Sequence, residues 1–261
     1  MNSNEERIKN MYYSFRKIVE SLPVKKNSNS SWWVKLWVRK ASFPFTYLII
    51  NMGFSPNAVS VLSIAFVLAA CAGYVISTPA AIITAVVLIN VWLILDCVDG
   101  NIARCRKQKT IYGEFVDDIG GYYVVAFIYL AIAFCVYNIG GCWVDARNKW
   151  ILAAGGVACI CDILARLINK DYVNFSKNRS DYVQDDYRTE SKKSLSYVRR
   201  RVGKELGVSG LFMPFTIVGA IWHCYDLLVL FYLLFNGFAL LSTTVIYIYK
   251  ADKYDRTHTI E

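Results

Sequence analysis

The chain has 261 residues, a formal net charge of +9 and a hydrophobic fraction of 56%, with positive mean hydropathy. That much apolar character exceeds the range of soluble domains and excludes an ordinary water-soluble fold. The basic excess adjoins apolar blocks rather than any nucleic-acid motif, so nucleic acid is excluded as a partner. The eight cysteines include no CxxC pair and have no histidines at zinc spacing, so they read as small apolar core residues.

In chain order, residues 1–30 are polar and charged and lack the apolar core of a signal peptide, which predicts a mobile cytoplasmic arm. Residues 31–53 come next, where Trp32, Trp33, Leu36 and Trp37 recur at helical spacing with Lys35, Arg39 and Lys40 interleaved. This pattern predicts an amphipathic helix in the membrane interface, its indoles at headgroup depth and its basic groups toward phosphate.

Residues 54–250 then hold six apolar blocks of roughly the length a bilayer requires. They run from Pro56 to Ile76, Ala80 to Cys97, Phe115 to Val136, Trp150 to Ile168, Val208 to Trp222 and Leu227 to Tyr249. The fifth is interrupted by Pro214, where a kink is expected. A long charged loop, 169–206, separates the fourth block from the fifth and reads equally as a cap or as a solvated connection. Residues 251–261 form a short tail. The fold class is therefore all-α: a polytopic membrane protein of six transmembrane helices behind one interfacial helix.

Charge sets the expected orientation. Lys and Arg crowd the N-terminal segment, the second connection (Arg104, Arg106, Lys107, Lys109), the fourth connection and the C-terminal tail. The first and fifth connections have none, and the third has only Arg147 and Lys149. By the positive-inside rule both termini are cytoplasmic, and the basic residues also attract anionic lipid headgroups.

Chemistry concentrates where the second block ends. The string Leu95-Asp96-Cys97-Val98-Asp99-Gly100-Asn101-Ile102-Ala103-Arg104 is followed, eight residues later, by Gly113-Glu114-Phe115-Val116-Asp117. Asp96 and Asp99 share one helix face, and Asp117 opens the next, antiparallel helix. Carboxylates in membrane spans are costly unless paired or bound to metal, so this cluster marks a functional site. Hard oxygen donors of this kind suit Mg²⁺ or Mn²⁺. Gly100 permits close approach of a ligand, with Ala103 one turn on, and Arg104 is placed to meet phosphate.

These residues resemble the signature of the CDP-alcohol phosphotransferases: Asp96-x-x-Asp99-Gly100-x-x-Ala103-Arg104, eight residues, then Gly113-x-x-x-Asp117. Ser55-Pro56-Asn57-x-x-Ser60 is similar to a further family element, and the likeness weakens after about residue 140. The resemblance implies a six-helix integral membrane transferase that moves a substituted phosphate from a CDP-linked alcohol to an acceptor and releases CMP, in phospholipid or lipid-linked glycan synthesis. It implies Asp96, Asp99 and Asp117 as metal ligands. It implies Gly100, Ala103, Arg104, Thr110 and Gly113, with Pro56 and Asn57, as the CDP-donor site. It also implies a homodimer working on membrane lipid. A small transporter, the competing class, would need polar groups along a path across the bilayer, whereas the acids here gather at one rim.

One position departs from the pattern. The signature ends in a second aspartate, regarded as the base that deprotonates the acceptor hydroxyl, and here Gly121 stands in its place behind Gly120. Three readings follow. Asp118 or Glu114 substitutes as the catalytic base, although Asp118 lies about 100° round the helix from Asp117. Alternatively, the acceptor is already ionised, as a phosphate monoester is, and the product is a diphosphate. In the third reading, catalysis has been lost and binding kept. Arg166 is a candidate for an acceptor phosphate, against the alternative of an i, i+4 ion pair with Asp162.

Overall fold

The computed structural model describes residues 13–23, 27–108, 110–177 and 195–258. Residues 1–12, 24–26, Lys109, the stretch 178–194 and the last three residues lie outside this description, and with them parts of the expected arm, loop and tail. The described chain is helical throughout, without a strand, and six of its helical segments are long and apolar enough to cross a membrane. It divides into two compact units. The first holds the chain up to Val124 together with Lys204–Ile217, and the second holds Val125–Gly203 and the chain from Val218 onward.

In the first unit a short helix, α1 (Phe15–Glu20), is capped by Ser14, whose hydroxyl accepts from the Lys17 amide. Ile18 is fully buried against Ile50, Val59, Leu95, Val98 and Ile102, and Asn51 accepts from the Tyr13 amide at 2.9 Å. The part of the expected arm that is described, 13–23, is thus docked by one apolar anchor and one side-chain clasp.

A π-helical turn, Val34–Val38, leads into α2 (Arg39–Asn51). The outward face carries Leu36, Trp37, Phe45, Leu48 and Met52, all exposed, while the buried stripe is Val34, Val38, Arg39, Ser42, Thr46 and Ile50. Much of the polar character therefore points inward and the apolar groups outward, as suits a helix lying against lipid. Arg39 corrects the expectation that it faces headgroups beside Lys40: Lys40 is exposed, and Arg39 is buried.

Two Ser/Thr-Pro pairs start the next helices. Ser55 caps α3 (Pro56–Ile76) and Thr78 caps α4 (Pro79–Cys105), each with proline at a first-turn position where no amide is needed. Between them Ser77 adopts a left-handed conformation (φ 60°) and reverses the chain. The hairpin closes tightly because Gly73 has no side chain: a Cβ there would lie 2.8 Å from the Ala81 carbonyl oxygen and 3.0 Å from the Ala85 Cβ. The second apolar block, expected to end near Cys97, continues as helix to Cys105 and so carries the whole Asp96–Arg104 string.

Helix α5 (Ile111–Ile139) begins in the first unit and ends in the second. Its first half runs beside α3 in parallel: a Cβ on Gly113 would meet the Asn57 Oδ1 at 3.2 Å, and one on Gly120, seven residues later, would meet Ile64, seven residues after Asn57, at 3.7 Å.

The second unit contains the rest of α5, α6 (Trp150–Lys177), most of α7 (Leu195–Leu206), the end of α8 (Met213–Trp222) and α9 (Tyr225–His258). Gly155 lets α6 approach α5, where a Cβ would fall 2.6 Å from Ala133 and 2.8 Å from the Tyr129 carbonyl oxygen. Tyr129 stacks on Tyr232 at 5.1 Å, and the Asn236 amide donates to the Ala158 carbonyl. At one end Asp226, fully buried, accepts from the amides of Cys142, Trp143 and Val144 and so fixes the loop between α5 and α6 to the start of α9.

The fifth span breaks earlier than its proline predicts. Pro214 sits in the first turn of α8, where it costs no hydrogen bond. The non-helical residue is Gly210 (φ −112°, ψ −118°), inside the π-helical turn Val208–Phe212. A Cβ on Gly210 would lie 2.0 Å from the Glu205 carbonyl oxygen, so only glycine fits.

Cys142 and Cys224 lie in connections of the second unit, Cys142 exposed and Cys224 partly buried. Burial first, and the neighbouring Cys142 second, raises the Cys224 thiol above its ordinary range. A raised pKa means less thiolate at neutral pH and slower alkylation. Maleimide labelling at pH 7.5 followed by mass spectrometry is expected to modify Cys142 well ahead of Cys224.

Candidate active site

The signature residues lie along two helical stripes. On α4, Asp96, Asp99, Gly100 and Ala103 follow i, i+3, i+4, i+7 spacing and share one face. On α5, Gly113, Asp117, Gly120 and Gly121 follow i, i+4, i+7, i+8 spacing and likewise share one face. Asp99 is six residues from the end of α4 and Asp117 six residues from the start of α5, so each is about 9 Å in from its helix end. Asp96 and Gly121 both lie deeper, by roughly one further turn.

Helix α3 ties these elements together. The buried Ser60 hydroxyl donates to Asp99 Oδ2 at 2.5 Å, a charge-assisted bond that holds one carboxylate oxygen. Its alternative acceptor, the Pro56 carbonyl, is at 3.2 Å. Three turns of sequence logic thus meet at the start of α3: Pro56 is buried in its first turn, Asn57 touches Gly113, and Ser60 holds Asp99. Ser60 was legible only as part of a family-like string. Its role as a carboxylate partner follows from the α3–α4 packing.

Thr110 has a structural role beyond the one expected. Its hydroxyl accepts from the Gly113 amide at 3.1 Å and caps α5. Gly113 is correspondingly hemmed in by Thr110 and Asn57, both just over 3 Å from where its Cβ would be.

Arg104 is turned by a polar network absent from the sequence reading. Its Nη2 donates to the Asn101 Oδ1 at 2.5 Å, and the Asn101 amide donates to Ser42 at 3.1 Å and Thr46 at 3.0 Å on α2. Asn101, Ser42 and Thr46 are all fully buried. The signal was available: Arg39, Ser42 and Thr46 recur at helical spacing opposite the aromatic residues of the interfacial helix.

The acids are less tightly gathered than the motif suggests. Asp99 is buried, Asp96 partly buried, and Asp117 and Asp118 exposed. Among the described residues, no three His, Cys, Asp or Glu side chains converge as a group that could hold a metal ion. The donor type suits a hard divalent cation, but the side chains as placed do not form a closed ligand set.

Gly121 faces open space, with nothing within 4 Å of where its Cβ would stand, and Gly120 is in ordinary contact with Ile64. Arg166, in the second unit, pairs with Asp162 at 2.7 Å, and the other oxygen of that carboxylate accepts from the Tyr129 hydroxyl at 3.1 Å. This is the ion pair weighed against an acceptor-binding role. His223 occupies a left-handed position (φ 52°) in the turn before α9, outside any site.

The family model for CDP-alcohol phosphatidyltransferases covers residues 54–181, reaching from the start of α3 through α6 and so beyond the motif itself. No curated protein matches the chain.

Proposed function

Because the chain carries a CDP-alcohol phosphatidyltransferase domain at residues 54–181, a family of membrane transferases of phosphate-linked groups, we propose that it moves a substituted phosphate from a CDP-linked alcohol to an acceptor and releases CMP. The observation that supports this best is the Asp99–Ser60 bond, with Asn57 against Gly113, which joins the string on α4 to the starts of α3 and α5. In this reading the α4 stripe, with Gly100 and Ala103, receives the donor. Arg104 meets its phosphates, and Pro56 and Asn57 border the site.

Asp96, Asp99 and Asp117 would hold Mg²⁺ or Mn²⁺. A divalent ion supplies screening of the diphosphate and of the charge on departing CMP. The protein's own part is to fix Asp99, to bind the donor through the stripe and Arg104, and to keep the reacting phosphorus beside the face that holds Gly121.

The motif end of α4 and α5 is proposed to be cytoplasmic, as are both termini, since Arg104, Arg106 and Lys107 flank it. Cys142 then faces the opposite side. A membrane-impermeant maleimide is expected to label Cys142 in intact cells, and labelling only after permeabilisation would reverse the orientation.

A second reading concerns the acceptor. Gly121 leaves open space where an acid would stand, which favours a bulky or already ionised acceptor, such as a phosphate monoester giving a diphosphate product. Asp118 is the alternative base for a hydroxyl acceptor.

Gly121→Asp discriminates between these, because the new side chain enters open space and the fold is not disturbed. If the acceptor is a hydroxyl and Gly121 marks a decayed site, transfer to alcohols rises by about 10²-fold or more, the usual contribution of a positioned base. If the acceptor is ionised, the same substitution lowers transfer by placing a like charge beside it. Product mass spectrometry with alcohol and phosphorylated acceptors reads both. Transfer to neither class by the wild-type protein would overturn the transferase reading.

A further inference from the structure

Helix α2 contributes a buried cation that has no part in the proposed transfer. Arg39 is only 6% exposed. Its Nη2 donates to the Ser30 hydroxyl at 3.0 Å, and its Nε is buried without a hydrogen-bond partner. No carboxylate pairs with it among the described residues. Its surroundings are well ordered by other means: Ser31 donates to the Ser209 carbonyl, the Trp32 amide donates to Glu205, and Lys204 donates to the Asn29 carbonyl.

Arg39 lies one turn before Ser42 and two before Thr46 on the buried stripe of α2, and those two hydroxyls hold the Asn101 to which Arg104 donates, so both arginines border the same α2–α4 contact and their like charges act on each other. Arg104 likewise has a buried Nε without a partner, while its Nη2 is held by Asn101, itself clamped by Ser42 and Thr46. The packing of α2 on α4 therefore brings two arginines to one junction, each with a buried Nε–H without a partner.

Leaving one cation buried and unpaired is costly, and placing a second beside it raises that cost. A planar guanidinium offers a fork of donors that matches the oxygens of a phosphate, and two such forks surround it better than one. We propose that Arg39 and Arg104 form a two-guanidinium receptor for a phosphate-type oxyanion, at the junction of α2 with the motif end of α4. The interfacial helix is thereby part of the binding site rather than only a membrane anchor.

Arg104 stands at the edge of the α4 stripe, so the oxyanion has two sources: the diphosphate of a CDP-linked donor, or the phosphate of an acceptor or lipid headgroup. The receptor rests on the α2–α4 contact and on the two buried Nε–H groups. Only the source of the phosphate rests on the transferase reading.

The test uses the purified full-length protein in detergent and the variant Arg39→Met, which keeps the length of the side chain and removes both charge and donors. Without added anion Arg39→Met is expected to be as stable as the wild type or more so, because it relieves a like-charge contact. Inorganic phosphate, compared with chloride at equal ionic strength, is expected to raise the melting temperature of the wild type and not of Arg39→Met. CDP affinity is expected to fall by about 10 to 100-fold in Arg39→Met, with Arg39→Lys between, if the donor supplies the phosphate. Unchanged CDP affinity with loss of the phosphate response assigns the site to the acceptor or headgroup.

An equal phosphate response in wild type and Arg39→Met, or none in the wild type, would overturn the receptor. Because phosphate binding is read without turnover, failure of the transferase reading leaves this result intact, and loss of the receptor leaves CMP release to be judged separately.

Discussion

Asp99→Asn is expected to lower CMP release by at least about 10²-fold while leaving the melting temperature close to that of the wild type. The substitution isolates charge from shape. Ser60 donates to Asp99 Oδ2 at 2.5 Å, and a side-chain amide oxygen can accept the same bond, so the α3–α4 contact persists. Asp99 is 7% exposed, and removing a buried charge whose hydrogen bond survives costs little stability. The carboxylate's contribution to diphosphate chemistry is lost outright, and groups that stabilise developing charge in such sites contribute about two to three orders of magnitude. Thermal denaturation and CMP release on the same preparation separate the two effects. A matching fall in stability would make Asp99 a structural residue.

The second large effect is structural and lies in the other unit. Asp226→Ala is expected to destabilise the protein by about 3 to 5 kcal/mol, because three backbone amides lose a buried, charged acceptor at once. Asp226 receives the amides of Cys142, Trp143 and Val144 at 3.1, 2.6 and 3.1 Å. Gly141 packs against the same carboxylate so closely that a Cβ there would lie 2.3 Å from its Cγ. Asp226→Asn keeps acceptor capacity and removes the charge, and it is expected to recover about half of the loss. Denaturation in detergent measures the ranking wild type, Asn, Ala. The sequence offered no sign of this device: Asp226 is one acid at the start of an apolar block, and its partners are backbone amides 82 to 84 positions away.

Membrane physics made the fold legible. Each apolar block of about twenty residues had to be a helix, because no other open element satisfies its backbone in lipid. All six appear as segments long and apolar enough to span. The family was legible as well, since Asp96 through Asp117 carries several fixed positions at one spacing. Helix ends were less so. Cys97 marks where hydropathy falls, but α4 continues to Cys105 because its last two turns are covered by α2 through Asn101, Ser42 and Thr46.

Pro214 attracted the expected kink, whereas the break belongs to Gly210, whose necessity lies in the Glu205 carbonyl oxygen opposite it. Arg39 was misread for a related reason. Periodicity shows that a face exists, not which side of a membrane-bound helix is the dry one, and here the polar stripe is the buried stripe.

The site divides in the same way. Donor-side features are local, set by spacing along α4 and the first turns of α5. Acceptor-side features depend on what faces Gly121, and there the sequence records only a missing acid. The open space at Gly121 makes Gly121→Asp a clean probe of that half.

CMP release reports directly on whether the α4 motif binds a CDP-linked alcohol for transfer. Purified wild-type protein, given a panel of CDP-linked alcohols and acceptors with Mg²⁺ or Mn²⁺, is predicted to release CMP over many turnovers. Asp96→Asn and Asp99→Asn, folded to the same extent, are predicted to release at least about 10²-fold less. Equal CMP release by wild type and both variants, or release from no member of the panel, would contradict the account.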